Sequence, residues 1–129
     1  MKTLFLEEQF SYSAEDVWAV IGDLERHDWL PSVMASRHED GIRYYLVEKL
    51  GEVQQRILKL DSESYYLEYM VIHGPSELEQ HLSIIEVQPN DCGCVVAWTS
   101  EFLPASLEDK LEKEKSSALQ CLRSILAIN

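Results

Sequence analysis

The chain has few basic residues and no long apolar segment. Its 11 Lys and Arg residues stand against 23 Asp and Glu, which gives a formal net charge of −12 over 129 residues. Such an acidic surface repels phosphate backbones and anionic headgroups, so nucleic acids are unfavourable partners. No run approaches the roughly 20 apolar residues of a membrane span, and the start of the sequence lacks the pattern of a signal peptide. We therefore expect a cytoplasmic protein without membrane insertion.

Cysteine is also scarce. Cys92, Cys94 and Cys121 are an odd number, which argues against a disulfide framework. Cys92 and Cys94 have no further ligands nearby in sequence of the kind that a structural zinc site needs, so we expect a hairpin turn and no metal. The sequence has no Ser-His-Asp order, glycine-rich phosphate loop or His-Glu-x-x-His motif, so no cofactor is predicted.

The remaining composition is that of a folded chain. Apolar residues make up 46% of the sequence and charged residues 26%, which is typical of globular proteins. A length of 129 residues is sufficient for one core and too short for two. We therefore predict a single domain over residues 1–129. The sequence leaves open whether this domain is a monomer or a homodimer.

The N-terminal part predicts one strand and two short helices. Residues 3–10 are expected to form the strand, and Ser13 then serves as an N-cap. An apolar stripe over 17–24 predicts a helix that ends near Gly22, since glycine commonly follows a helix. Residues 24–29 are expected to form a second short helix, which Pro31 ends because the residue before proline avoids the helical region.

A β region follows, in which turn signals separate runs of strand formers. Six strands are predicted, at 33–39, 42–49, 52–60, 65–72, 78–87 and 94–103. The connections between them are short, which requires antiparallel neighbours because parallel pairs need long crossovers.

The C-terminus changes to helical periodicity. Pro104 ends the last strand, Ser106 is expected to cap a helix over 106–127, and this helix would be roughly 33 Å long. A seven-stranded antiparallel sheet must bury one face, and only this helix is long enough to cover it. The fold class is therefore α+β, with the sheet wrapped around the final helix.

Three segments resemble a known family. They are "SAEDVWAVIGDLERHDWLP", "QQRILKLDSESYYLEYMVIHGPSELEQHLSIIEVQP" and "VVAWTSEFLP". Their order resembles the START-like or SRPBCC superfamily, in particular its branch of polyketide cyclases/dehydrases and lipid transport proteins, to which the plant abscisic acid receptors are related. The resemblance implies a helix-grip fold that encloses a hydrophobic ligand. Leu50-Gly51 is much shorter than the loop that those receptors use as a gate.

Strand alternation predicts which residues face the helix. Val53, Ile85 and Val87 indicate the buried parity of their strands, and this parity brings several polar groups inward. Leu78 and the Gly74-Pro75 loop are expected to flank a cavity mouth. The predicted ligand-binding residues are Gln55, Ile57, Tyr69, Val71, Leu78, His81, Ser83, Trp98, Ser100 and Ala118.

The apolar stripe of the final helix is broken for one turn, at Glu114 or Lys115. Polar groups on both walls favour a cavity with hydrogen-bonding points over a packed core. The alternative is that these groups pair with one another.

The main hypothesis is a small-molecule binding protein whose ligand is apolar or amphipathic, such as a lipid, an isoprenoid or a polyketide-like compound. A second hypothesis is a cyclase or dehydratase in which His81 is the catalytic acid/base, helped by Tyr69 or Arg56. A third is a protein-interaction module with a vestigial cavity. Because no carboxylate is placed beside His81, burial is expected to lower its pKa and keep the ring neutral.

Overall fold

Seven antiparallel strands form one sheet that curves around a long helix in the computed structural model, which describes residues 1–128. The strands are β1 Lys2–Phe10, β2 Val33–Glu39, β3 Ile42–Val47, β4 Gly51–Asp61, β5 Tyr66–His73, β6 Gln80–Asn90 and β7 Gly93–Leu103. The helices are α1 Ala14–Ile21 and α2 Glu108–Ile128, the latter preceded by a 3-10 turn at Ala105–Leu107. The predicted antiparallel sheet and C-terminal helix are confirmed.

The order of the strands across the sheet is β1-β7-β6-β5-β4-β3-β2. Strands β2 to β7 therefore follow one another as hairpins, and β1 is added to the far edge beside β7. Short turns between successive strands produce this arrangement, because an antiparallel neighbour can be reached by a tight turn.

Helix α1 begins and ends where the sequence predicts. The Ser13 hydroxyl accepts a hydrogen bond from the backbone N–H of Asp16 at 3.1 Å. At the other end the N–H of Gly22 donates to the carbonyl of Trp18 at 2.7 Å. A Cβ at position 22 would lie 2.5 Å from the Trp18 ring, so the indole lies against the helix end at a distance that only glycine permits.

The predicted second short helix at 24–29 is wrong. Two successive turns replace it, closed by hydrogen bonds from Arg26 to the carbonyl of Asp23 and from Leu30 to the carbonyl of His27, each 3.0 Å long. The Asp23 side chain also accepts from the N–H of Glu25 at 3.2 Å. Six residues offer too few helical bonds to offset nucleation, and an aspartate that bonds to nearby backbone favours turns instead.

Helix α2 has two different environments along its length. Its C-terminal half carries Leu119, Leu122 and Leu126 into the apolar core. Its N-terminal half faces a cavity instead. Ser106 does not cap the helix as predicted, because it lies within the 3-10 turn. None of the helices within residues 1–128 has the length and apolar character needed to cross a membrane.

Candidate functional site

A cavity of about 580 Å³ lies between the inner face of β3–β6 and the N-terminal half of α2. Segments 29–33, 47–50 and 75–78 complete its walls. The volume falls within the roughly 300–1,000 Å³ of small-molecule sites. The other end of the helix packs directly against apolar side chains.

Seven of the ten predicted residues line this cavity: Gln55, Tyr69, Val71, Leu78, His81, Trp98 and Ala118. These residues share one face because the register pairs inward-facing residues of one strand with inward-facing residues of the next. Gln55 of β4 lies opposite Val71 of β5, and Tyr69 of β5 lies opposite Ser83 of β6. The inward parity inferred from the sequence is therefore confirmed for these strands.

Ile57, Ser83 and Ser100 do not line the cavity. Ile57 packs against the apolar core. Ser83 and Ser100 are fully buried, and their hydroxyl oxygens lie 2.6 Å apart. For these two serines the alternative holds, namely that the inward polar groups pair with one another. Their buried hydroxyls face each other across paired strands and satisfy each other's hydrogen-bonding capacity.

His81 links the serine pair to the cavity. Its Nε2 lies 3.1 Å from the Ser83 hydroxyl and 3.4 Å from Nζ of Lys115. The Tyr69 ring is tilted against the imidazole, with 6.0 Å between ring centroids. Burial, and secondarily the charge of Lys115, lowers the pKa of His81 to about 3. The pKa is shifted in the direction expected from the sequence, because burial disfavours the charged imidazolium.

Arg43 is a cavity residue that sequence reasoning missed. Its side chain is 3% exposed, and both Nε and Nη2 donate to Oε1 of Gln55, at 2.8 and 2.5 Å. The guanidinium lies 4.8 Å from the Tyr45 ring centroid and 5.2 Å from that of Tyr69. Strand alternation places Arg43 on the same face as Tyr45, but a charged residue in a strand is ordinarily expected to face solvent.

Lys115 occupies the break in the apolar stripe of α2. It is 7% exposed, whereas Glu114 beside it is exposed at the cavity rim. The Lys115 Nζ lies 4.7 Å from the centroid of the Trp98 ring, a cation–π distance. The sequence identified this turn as anomalous, and the structure identifies Lys115 as the residue that points inward.

Arg56, the predicted helper of His81, is in the wrong place for that role. It lies exposed on β4, paired with Met70 of β5, and it does not line the cavity. Successive strand residues point to opposite faces, so an inward Gln55 requires an outward Arg56. A proton relay between Arg56 and His81 is excluded by this geometry.

The cavity mouth is formed by exposed residues of both signs. Glu77 precedes β6 and pairs with Lys110 of α2 at 3.1 Å. Pro75 and Leu78 line the cavity, and Gly74 lines an adjoining pocket of about 290 Å³. On the opposite side, the tight β3–β4 turn brings Lys49 and Leu50 to the rim.

Residues 6–120 match the sequence profile of the family described as polyketide cyclase/dehydrase and lipid transport. The chain belongs to this family. The match spans most of the chain, from β1 to the second half of α2. It confirms the resemblance to START-like proteins that the three sequence segments indicated.

Solved structures of similar fold include proteins from several bacteria. The protein XoxI from Bacillus cereus has a TM-score of 0.88 at 21% identity, covering 97% of this chain and 95% of that one. A protein from Thermobifida fusca has a TM-score of 0.77 at 25% identity, with 95% and 91% covered. Ara h 8.0201 has a TM-score of 0.80 at 14% identity, with 99% of both chains covered. A comparison with curated proteins gave no match.

Proposed function

We propose that this family member binds one apolar or amphipathic small molecule in the cavity between its sheet and α2. The observation that carries this proposal is the cavity of about 580 Å³, which is walled largely by aromatic and aliphatic side chains such as Trp98, Val71 and Leu78. A few polar groups placed on such a wall orient a ligand in typical small-molecule sites. The family description, which includes lipid transport, supports the same class of ligand.

The second hypothesis, catalysis by His81, receives less support. A general base is most effective when its pKa lies near the working pH, and the pKa of His81 is lowered to about 3. Its polar neighbours are an ammonium and a hydroxyl, and neither raises the basicity of the ring. Hydrogen bonding to a ligand is the role that fits a neutral imidazole at this position.

The third hypothesis, a vestigial cavity, is also less favoured. A cavity without function would be expected to fill with apolar side chains, because buried polar groups without partners destabilise a fold. Here the cavity keeps Arg43, His81 and Lys115 on its walls.

Titration with the neutral apolar dye N-phenyl-1-naphthylamine tests the proposal. The dye is expected to bind the wild-type protein one to one with enhanced emission. Ala118 lies on α2, is 2% exposed and lines the cavity, so Ala118→Phe should fill the site and abolish dye binding. Ala19→Phe, at an exposed position of α1, is the matched control and should bind normally. Equal dye binding by both variants would contradict the proposal.

A further inference from the structure

The cavity holds two cations that have no acidic partner among the residues that the structure describes. Arg43 is 3% exposed and Lys115 is 7% exposed. Within residues 1–128, neither forms an ion pair, although the chain contains 23 Asp and Glu residues. Buried charges are ordinarily paired because desolvation destabilises an isolated ion. Two of the 11 basic side chains of this acidic protein are therefore available to bind a ligand.

Several other polar groups around the cavity also carry hydrogen-bond donors. A lysine ammonium can only donate, so the contact with Lys115 makes Nε2 of His81 an acceptor and leaves the ring proton on Nδ1. Nδ1 of His81 and Nε1 of Trp98 are both buried, and neither has a hydrogen-bond partner among the described residues. Burial raises the pKa of Tyr45 to about 12, so its hydroxyl keeps its proton as well.

Acceptors are few in the same space. Oε1 of Gln55 already accepts both hydrogen bonds from Arg43. The three carboxylates that border the cavity belong to Glu48, Glu77 and Glu114, and all three residues are exposed at the rim. The interior therefore has an excess of donors and of positive charge, which an acceptor-rich anion would complement.

Contacts through Tyr69 and His81 connect Arg43 on the sheet wall with Lys115 on the helix wall. The Arg43 guanidinium lies 5.2 Å from the Tyr69 ring, Tyr69 packs on His81, and Nε2 of His81 lies 3.4 Å from Lys115. The apolar lining, with Val71, Leu78 and Ile85, belongs to the same cavity. A ligand that matches both parts has an apolar body and one anionic end.

We infer, on the basis of the proposed function, that the ligand is an amphipathic carboxylate whose anionic group is bound by Arg43 and Lys115. The apolar body of the ligand then occupies the aliphatic part of the cavity. A neutral compound of the same length lacks the charge that these residues complement.

Displacement of N-phenyl-1-naphthylamine by decanoate and by decan-1-ol at pH 7.5 tests this inference. The two compounds share a chain length and differ in the charge of one end. Decanoate is expected to bind the wild-type protein roughly 10- to 100-fold more tightly, as charge-assisted hydrogen bonds predict. Lys115→Met should remove most of this difference and leave decanol affinity within about twofold, and Arg43→Met should act in the same direction.

Lys59→Met is the matched control, since Lys59 carries the same charge but is exposed on β4 and does not line the cavity. It should retain the preference for decanoate. Equal affinity of the wild-type protein for the two compounds, or an equal loss of both in Lys115→Met, would overturn the anion inference while the proposed function stands. Failure of the dye and of both compounds to bind would instead overturn the proposed function and, with it, the anion inference.

Discussion

The Nζ atom of Lys115 lies 3.4 Å from Nε2 of His81, so an ammonium donates to a neutral imidazole inside the cavity wall. Protonation of His81 would place two cations at this distance in a buried site. Burial is the main cause of the lowered pKa of His81, and the charge of Lys115 lowers it further. The contact also connects α2 to β6 without an acidic member within residues 1–128.

His81 is expected to make stability depend on pH below neutrality. An unfolded histidine has a pKa of about 6.5, while that of folded His81 is lowered to about 3. Between these values the unfolded chain binds a proton that the folded chain does not. The free energy of unfolding should therefore be unaffected by this group above pH 6.5 and fall as the pH decreases toward 3.

Urea denaturation of wild-type protein and His81→Gln at pH 7 and pH 5 measures this contribution. The wild-type protein should lose about 2 kcal/mol more than the variant over this interval. The other histidines and the carboxylates are present in both proteins, so their titration cancels in the comparison. Parallel pH profiles would contradict the assignment of a depressed pKa to His81.

Lys115→Met should stabilise the ligand-free protein. Methionine keeps most of the volume and apolar stem of lysine but removes a buried ammonium that lacks an acidic partner in the described part of the chain. An increase of about 1 kcal/mol or more in the free energy of unfolding is expected, because replacing buried charge by apolar side chains is often stabilising. The exposed Lys110→Met should change stability by less than about 0.5 kcal/mol. A destabilised Lys115→Met would mean that the ammonium supports the fold.

The Ser83–Ser100 pair predicts a non-additive double mutant. Each Ser→Ala substitution leaves the other buried hydroxyl without its partner at 2.6 Å, at a cost of about 1–3 kcal/mol in stability. Removing both hydroxyls leaves fewer unsatisfied groups, so the double variant should be less destabilised than the sum of the two single variants. Thermal or urea denaturation of the four proteins gives the coupling, and strict additivity would show that the pair contributes nothing as a pair.

Trp98 should report ligand binding by its fluorescence. It lines the cavity and packs against Trp29 at 5.8 Å between ring centroids, whereas Trp18 packs against Tyr65 and does not line the cavity. Trp29 also lines the cavity, so Trp18 and Trp29 are both replaced by phenylalanine, and decanoate is expected to change the emission of the remaining Trp98. A variant that keeps Trp18 alone, with Trp29→Phe and Trp98→Phe, should lose most of this change. A response carried entirely by Trp18 would place the ligand elsewhere.

Much of the fold followed from local patterns. The two-residue period of β4 to β7 and the apolar stripe of α2 are properties of each segment alone, so they predicted the elements and the inward parity before any contact was known. The short segment at 24–29 did not follow its pattern, because its aspartates stabilise turns and six residues cannot sustain a helix.

By itself, the sequence determined which side chains of β5 to β7 share the inner face, because parity repeats along these strands. Only the tertiary structure decided what these side chains meet. Ser83 faces Ser100 because β6 lies beside β7, and this pairing removes both from the cavity. Arg43 faces Gln55 because β3 lies beside β4, so a charge that local rules would place in solvent becomes buried. Such pairings depend on which strands are neighbours and where the helix crosses them, and residues far apart in the chain decide both.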